Sequence, residues 1–237
     1  MTQPAPPPLK RLVREWASVP RLVVNPLRRA WPGEDIGGGR PALVIPGLTT
    51  GDISTVLLRK TLRKRGFVPE GWAMGINTGA DPAKLKRLEK RIAFLAEKHD
   101  KPVLLIGWSL GGLYARILAQ RVPEHLAMVV TVASPFSGDR HANNAWKIYN
   151  ALNTHTVDDP PFDERLEDKP PVPTIAIWSA VDGIVAPECA RGRACESDHR
   201  LRIDVPHFTI GTSRRAIEQI IDKIAEVDAL SRQSPSA

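Results

Sequence analysis

Apolar residues fall along this chain in two alternating rhythms. Unbroken apolar runs at 42–45, 103–106 and 126–133, with a further β-branched run at 173–179, have the length and continuity of strands covered on both faces. The stretches 67–74 and 201–205 are more mixed and read as further strands. Between the runs, apolar positions recur at helical spacing: Leu85, Leu88, Ile92 and Leu95, then Leu113, Tyr114, Ile117 and Leu118, then Ile217, Ile220, Ile221, Ile224 and Val227. Start and stop signals bound the helices. Asp52 is expected to cap a helix over 53–65 that Gly66 ends, Asp81 precedes Pro82 at the start of a helix reaching 98, and Thr212 or Ser213 caps the last one. This alternation predicts an α/β domain over 42–230, with a mostly parallel sheet and helices on both faces.

Three regions depart from the rhythm. Residues 1–41 form an N-terminal extension whose first eight positions are Pro-rich and read as disordered. Within it, 9–19 places Leu9, Leu12, Val13, Trp16 and Val19 on one helical face and Lys10, Arg11 and Arg14 on another. Such a stripe usually faces a core, so the helix is expected to pack on its own domain. The competing reading of a basic helix with a Trp is contact with a membrane surface. Residues 20–41, with four prolines and Gly37-Gly38-Gly39, read as irregular chain. The tract after 133 has little core pattern beyond a helical segment at 145–152, and 136–170 reads as a small lid. Residues 231–237 read as a flexible tail.

Composition narrows the classes. A chain of 237 residues with 42% hydrophobic and 25% charged content can bury a core and is not a disordered tract. No apolar run reaches the ~18 residues of a membrane span. The start, MTQPAPPPLKRLVREW, has no apolar segment of the kind that marks a secretory signal. The expected location is therefore the cytoplasm, or the periphery of the inner membrane surface. Cys189 and Cys195 are then expected to be free thiols, and their five-residue gap matches no usual zinc spacing. A net charge of +7 fits a solvated basic surface, an anionic membrane surface or an acidic protein partner.

The candidate chemistry lies in 101–120, KPVLLIGWSLGGLYARILAQ. Its Gly107-Trp108-Ser109-Leu110-Gly111 is a G-x-S-x-G, a pattern that chance supplies in roughly one chain in twelve of this length. The strand before it and the helix after it therefore carry the argument. A tight turn there holds Ser109 in a strained conformation at a helix N-terminus, where free N–H groups and the helix dipole favour negative charge. In open α/β sheets, ligands bind outside the carboxyl ends of strands. Asp182, in the exit turn Ala180-Val181-Asp182-Gly183, and His207, after the last strand, fall at such ends. Serine needs a base, histidine titrates near neutrality, and a carboxylate on the far ring nitrogen fixes the tautomer. Ser109, His207 and Asp182 are thus the candidate nucleophile, base and acid. His199 precedes the last strand, Asp204 lies within it, and Asp158, Asp159 and Asp163 lie in the lid, so each is a weaker choice.

The chain order Ser, Asp, His, with GWSLGG and SAVDGIV, resembles the α/β-hydrolase fold family, whose minimal arrangement matches residues 42–227. More narrowly, IPGLTTGD, GWSLGG, ASPFSGD, ANNAW and SAVDGIV resemble a bacterial group of small lipase- and esterase-like hydrolases. The resemblance implies the same three catalytic residues. It also implies an oxyanion hole made by the backbone N–H groups of Leu110 and of Leu48, which follows Pro46-Gly47. No cofactor is expected, and no metal constellation emerges from the scattered histidines His99, His125, His141 and His155. Many lipases carry histidine where this chain has Pro46 and Trp108. Trp108 is expected beneath the turn, and Trp108, Thr49 and Phe136 are candidates for the substrate pocket.

The resulting expectation is a serine hydrolase that cleaves a small-molecule or lipid carboxylic ester through an acyl-enzyme. A second reading keeps the triad and changes the acceptor. GWSLGGL also resembles methyl esterases that act on acyl groups attached to acidic carrier proteins, and acyl transfer to an alcohol shares the same intermediate. A reading from another class is a non-catalytic binder of nucleic acid or anionic lipid through 9–14 and 59–65. It leaves a complete triad without a use, and nucleic acid is the less favoured of its two ligands.

Overall fold

The computed structural model describes residues 4–20 and 27–233. Its strands are β1 (Pro41–Ile45), β2 (Val68–Gly71), β3 (Val103–Trp108), β4 (Leu126–Val132), β5 (Thr174–Trp178) and β6 (His199–Arg202). Its helices are α1 (Leu9–Trp16), α2 (Val56–Lys64), α3 (Pro82–His99), α4 (Leu110–Arg121), α5 (Trp146–Leu152), α6 (Pro187–Arg191) and α7 (Arg214–Gln233). The strands form one parallel sheet in the order β2-β1-β3-β4-β5-β6. Alternate strand residues feed two cores. Val44, Leu104, Ile106, Val130 and Ile177 cluster with residues of α2 and α7, while Leu43, Ile45, Leu105, Val129 and Ala176 cluster with residues of α3 and α4. Cover on both faces is why β1, β3 and β4 are unbroken apolar runs. The chain reverses direction across the sheet at β1, going first to β2 on one side and then to β3 on the other. The loops leaving β1 and β3 diverge there, and a crevice opens between them at the carboxyl ends of the strands.

Several expectations change. Asp52 caps no helix. A 3-10 turn over Asp52–Thr55 precedes α2, and the Asp52 carboxylate instead accepts from the N–H groups of Trp72 and Ala73 at 2.9 and 3.0 Å, tying the β1 loop to the end of β2. The last strand lies at 199–202, not 201–205. Asp198 accepts from both the N–H and the hydroxyl of Thr174 at 2.9 Å, which fixes the pairing of β6 on β5 from its first residue. His199 is consequently in the strand. Asp81 caps α3 as expected, accepting from the Ala83 N–H at 2.8 Å. Of Thr212 and Ser213, it is Ser213 that accepts from the first turn of the last helix, at the Ala216 N–H. That helix continues to Gln233, so the expected tail from 231 is helical at its start and otherwise lies outside the described residues. The described part of the Pro-rich start is packed: Pro7 is buried, and its carbonyl accepts from Asn144 Nδ2 at 3.0 Å.

Helix α1 packs on the domain as expected, but by a different face. Leu9, Val13 and Trp16 are exposed, and Glu15 is fully buried. Three charge-assisted hydrogen bonds at Glu15, each worth about 1.5–3 kcal/mol, hold the helix in this orientation.

Candidate active site

Ser109 sits at the turn between β3 and α4 with φ 54° and ψ −121°. Its N–H donates to the Val132 carbonyl at 2.7 Å, which ties the turn to the neighbouring strand. Glycines are required on either side for close approach. A Cβ at Gly107 would stand 2.2 Å from the Gly111 carbonyl oxygen, and one at Gly111 would stand 2.3 Å from that of Ile45. Ser109 occupies the N-cap position of α4, yet its side chain makes no cap bond. The hydroxyl is thus left for other chemistry, at the positive end of a helix with no acidic residue in its first turn.

Asp182 and His207 meet behind this turn. His207 Nδ1 lies 2.8 Å from Asp182 Oδ2, and both side chains are buried. The other carboxylate oxygen accepts from the N–H groups of Ile184 and Val185 at 2.7 and 2.8 Å. A carboxylate only accepts, so Nδ1 carries the shared proton and Nε2 is left as the basic nitrogen. The Trp108 ring stacks on the His207 ring with centroids 5.8 Å apart, which brings His207 alongside the residue next to Ser109. Burial pulls the His207 pKa down. The charge and hydrogen bond of Asp182, with the charge of Glu15, more than offset that pull and leave it above 6.5.

Glu15, a residue the sequence did not mark as functional, organises the same two loops. Its Oε1 accepts from the N–H groups of Gly183 and His207 at 2.9 and 2.8 Å, and its Oε2 from that of Phe208 at 3.0 Å. One carboxylate therefore holds both the acid turn and the histidine turn. The available signal was slight: Glu15 is the single acid in LKRLVREW.

A second unmarked residue, Asn77, braces the loop after β1. Its side-chain amide donates to the Pro46 carbonyl at 2.8 Å, its own carbonyl accepts from the Thr49 N–H at 2.7 Å, and its N–H donates to the Thr50 carbonyl at 2.8 Å. The Thr50 hydroxyl adds a bond to the Gly47 carbonyl at 2.8 Å. This bracing holds Thr49 at φ 59° and seats Gly47 against the turn, where an added Cβ would stand 3.2 Å from Ser109 Cβ. Leu48 and Leu110 thus flank Ser109 from the two sides of the crevice between β1 and β3.

A family model described as alpha/beta hydrolase fold matches residues 85–164. Among solved structures, MGS-MChE2, an alpha/beta hydrolase enzyme from the sediment metagenome of the Mar Chica lagoon in Morocco, aligns with TM-score 0.59 and 19% identity over 80% of this chain and 92% of its own. The esterase Pf2001 of Pyrococcus furiosus aligns with TM-score 0.58 and 15% identity over 81% and 83%. RedJ, the thioesterase of the prodiginine pathway of Streptomyces coelicolor, aligns with TM-score 0.51 and 13% identity over 84% and 94%. The chain has the α/β-hydrolase fold. No curated protein matches it in sequence.

In this α/β-hydrolase fold, Leu48, Ser109 and Leu110 line a cleft that encloses about 790 Å³, its open mouth included. Leu113 and Ile117 of α4 line it too, and Trp146, Val157 and Phe162 reach it from the tract between β4 and β5. That tract was expected as a lid, and residues from 140 to 166 line the cleft. Arg116 of α4 clamps its far end, donating to the carbonyls of Leu166, Asp168 and Glu196 at 2.5, 3.0 and 2.8 Å. Burial lowers the Arg116 pKa to about 10 against the pull of Glu196, Glu167 and Asp168, so it stays charged at neutral pH.

The three expected pocket side chains do not line this cleft. Trp108 is buried against His207, which agrees with packing beneath the turn. Phe136 is buried under the Arg116 guanidinium, 4.1 Å from its ring centre. Thr49 is exposed and donates to the Leu48 carbonyl. The alternative acids and base also lie apart from the cleft's lining: Asp204 pairs with Arg202 at 3.0 Å, Asp158 with His141 at 3.3 Å, and His199 opens an edge strand. Both cysteines are free, Cys189 buried and Cys195 exposed. Two cations of the basic run 59–65 are engaged within the domain, while Arg63 and Lys64 are exposed. Arg59 donates to the Asp52 carbonyl at 2.7 Å, and Arg65 to that of Glu34 at 3.0 Å.

Proposed function

We propose that this protein is a serine hydrolase that cleaves carboxylic esters through an acyl-enzyme. The observation that carries the reading is the buried Asp182–His207 pair beside the Ser109 turn, at the crevice where this sheet reverses. Ser109 Oγ attacks the ester carbonyl as His207 Nε2 takes its proton. The oxyanion accepts from the Leu48 and Leu110 N–H groups, each such donor being worth about 2.7–4 kcal/mol. His207 returns the proton to the departing alkoxide; water, deprotonated by the same nitrogen, then attacks the acyl carbon, and His207 hands that proton to Ser109 Oγ as the acyl–oxygen bond breaks and the acid leaves. The apolar cleft takes the acyl portion of the ester.

The test is covalent labelling. A fluorophosphonate should modify Ser109 alone, and Ser109→Ala should lower p-nitrophenyl ester turnover by about four orders of magnitude or more. Folded protein that takes no label, with turnover unchanged in Ser109→Ala, sinks the reading.

The likeness in fold to RedJ, together with a net charge of +7, supports a second reading in which the acyl group arrives on an acidic carrier protein or leaves to an alcohol. Comparing free acid with transfer product in the presence of a carrier-bound acyl group or an added alcohol separates the two.

A further inference from the structure

Helix α1 turns outward the face that a helix serving only its own domain would bury. Leu9, Val13 and Trp16 are 73, 68 and 66% exposed. They recur at i, i+4 and i+7, so they form one stripe along the helix. Lys10 and Arg14 are exposed beside it. Glu15, the single acid of α1, is fully buried and held by three backbone N–H groups. The outward face thus carries apolar side chains and cations and no carboxylate.

We propose that α1 docks this face on an anionic lipid surface. The stripe enters the boundary between headgroups and acyl chains, and Lys10 and Arg14 meet the lipid phosphates. A lipid suits the face better than a second protein. Eight helical residues offer far less than the ~800 Å² per partner of a stable protein interface. Interfacial binding instead adds the gains of a few apolar side chains to those of cations near a charged surface. Glu15 bonds the same helix to Gly183, His207 and Phe208. A docked α1 therefore holds the carboxyl edge of the sheet close to the lipid. The inference stands apart from the hydrolase reading, since none of the docking residues belongs to the candidate site.

Cosedimentation of the full chain with vesicles tests it. The protein should pellet with phosphatidylcholine mixed with phosphatidylglycerol, much less with phosphatidylcholine alone, and less as salt is raised. Joint substitution Leu9→Ser, Val13→Ser and Trp16→Ser should cut partitioning about ten-fold or more, and Lys10→Glu with Arg14→Glu should abolish the preference for anionic vesicles. An unchanged melting midpoint and an unchanged far-ultraviolet circular dichroism spectrum would report that the variants remain folded. Quenching of wild-type tryptophan fluorescence by lipids brominated near the headgroup gives a reading that needs no variant. The proposal is overturned if the wild type stays in the supernatant, if the serine variant partitions equally well, or if the wild type is a dimer that the serine substitutions make monomeric without any lipid binding.

Discussion

The Glu15 carboxylate serves the turns of Asp182 and His207 as Asp182 serves the histidine ring: it accepts where nothing else in a dry site can. Three N–H groups converge on it, and leaving such donors unmet costs about 1–3 kcal/mol apiece. Glu15→Gln offers one oxygen in place of two and turns an amide toward the N–H groups, so a stability loss of about 2–4 kcal/mol in urea titrations is expected. It also removes a negative charge that holds the His207 pKa above 6.5. The proposed base must be neutral to act, so the acidic limb of kcat/KM should lie above pH 6.5 in the wild type and move to lower pH in Glu15→Gln. The same raised pKa bears on stability with the opposite slope. Its contribution is fully present below pH 6.5 and is lost as pH rises through the folded-state value. Ser109, Asp182 and His207 could be marked as candidates because their chemistry is written in side chains at strand ends, and the structure sets Asp182 against the His207 ring. Glu15 and Asn77 were not, because their partners are backbone groups, which every residue carries alike.

At the scale of elements, hydrophobic rhythm located β1, β3, β4, β5, α3, α4, α5 and α7 to within a few residues, since each must bury a continuous run or a stripe. It misjudged the pieces whose position is set by single polar contacts. Asp198 on Thr174 moved β6, Asp52 on Trp72 and Ala73 replaced a helix cap by a bridge between loops, and Glu15 turned α1 over. The tract between β4 and β5 depends on such contacts too. Arg116 is the guanidinium beneath it, and Arg116→Met keeps the length and apolar stem while leaving the buried Leu166 carbonyl without this donor and removing the bonds to Asp168 and Glu196. A loss of about 3 kcal/mol or more is expected. Hydrogen exchange should rise first in 162–170, ahead of the sheet.

At the scale of the molecule, the cleft makes a prediction about substrate. Its walls beyond Ser109 are apolar for the length of Leu113, Ile117 and Phe162, so kcat/KM should climb about three-fold per added methylene along a p-nitrophenyl ester series until the cleft is filled. Leu113→Trp should reverse the order in favour of acetate. The fold also joins residues 15–40 to residues 207–228. Besides Glu15 with His207, Thr209 Oγ1 donates to Ser18 Oγ at 2.9 Å, Arg28 to the Thr212 carbonyl, and Arg40 pairs with Asp228 at 2.5 Å, contacts that span 192, 191, 184 and 188 positions. Closing so wide a loop adds little cost beyond a shorter one, but it sets an order in time. A chain is made from its N-terminus at about 5–20 residues per second. The residues of the turn that bears Ser109 are therefore made while residue 207 is still untranslated, and Glu15 waits for 192 further residues before its histidine partner exists. A growing chain would carry a serine without its base, and the proposed hydrolysis would begin only when Glu15 meets the turn of His207.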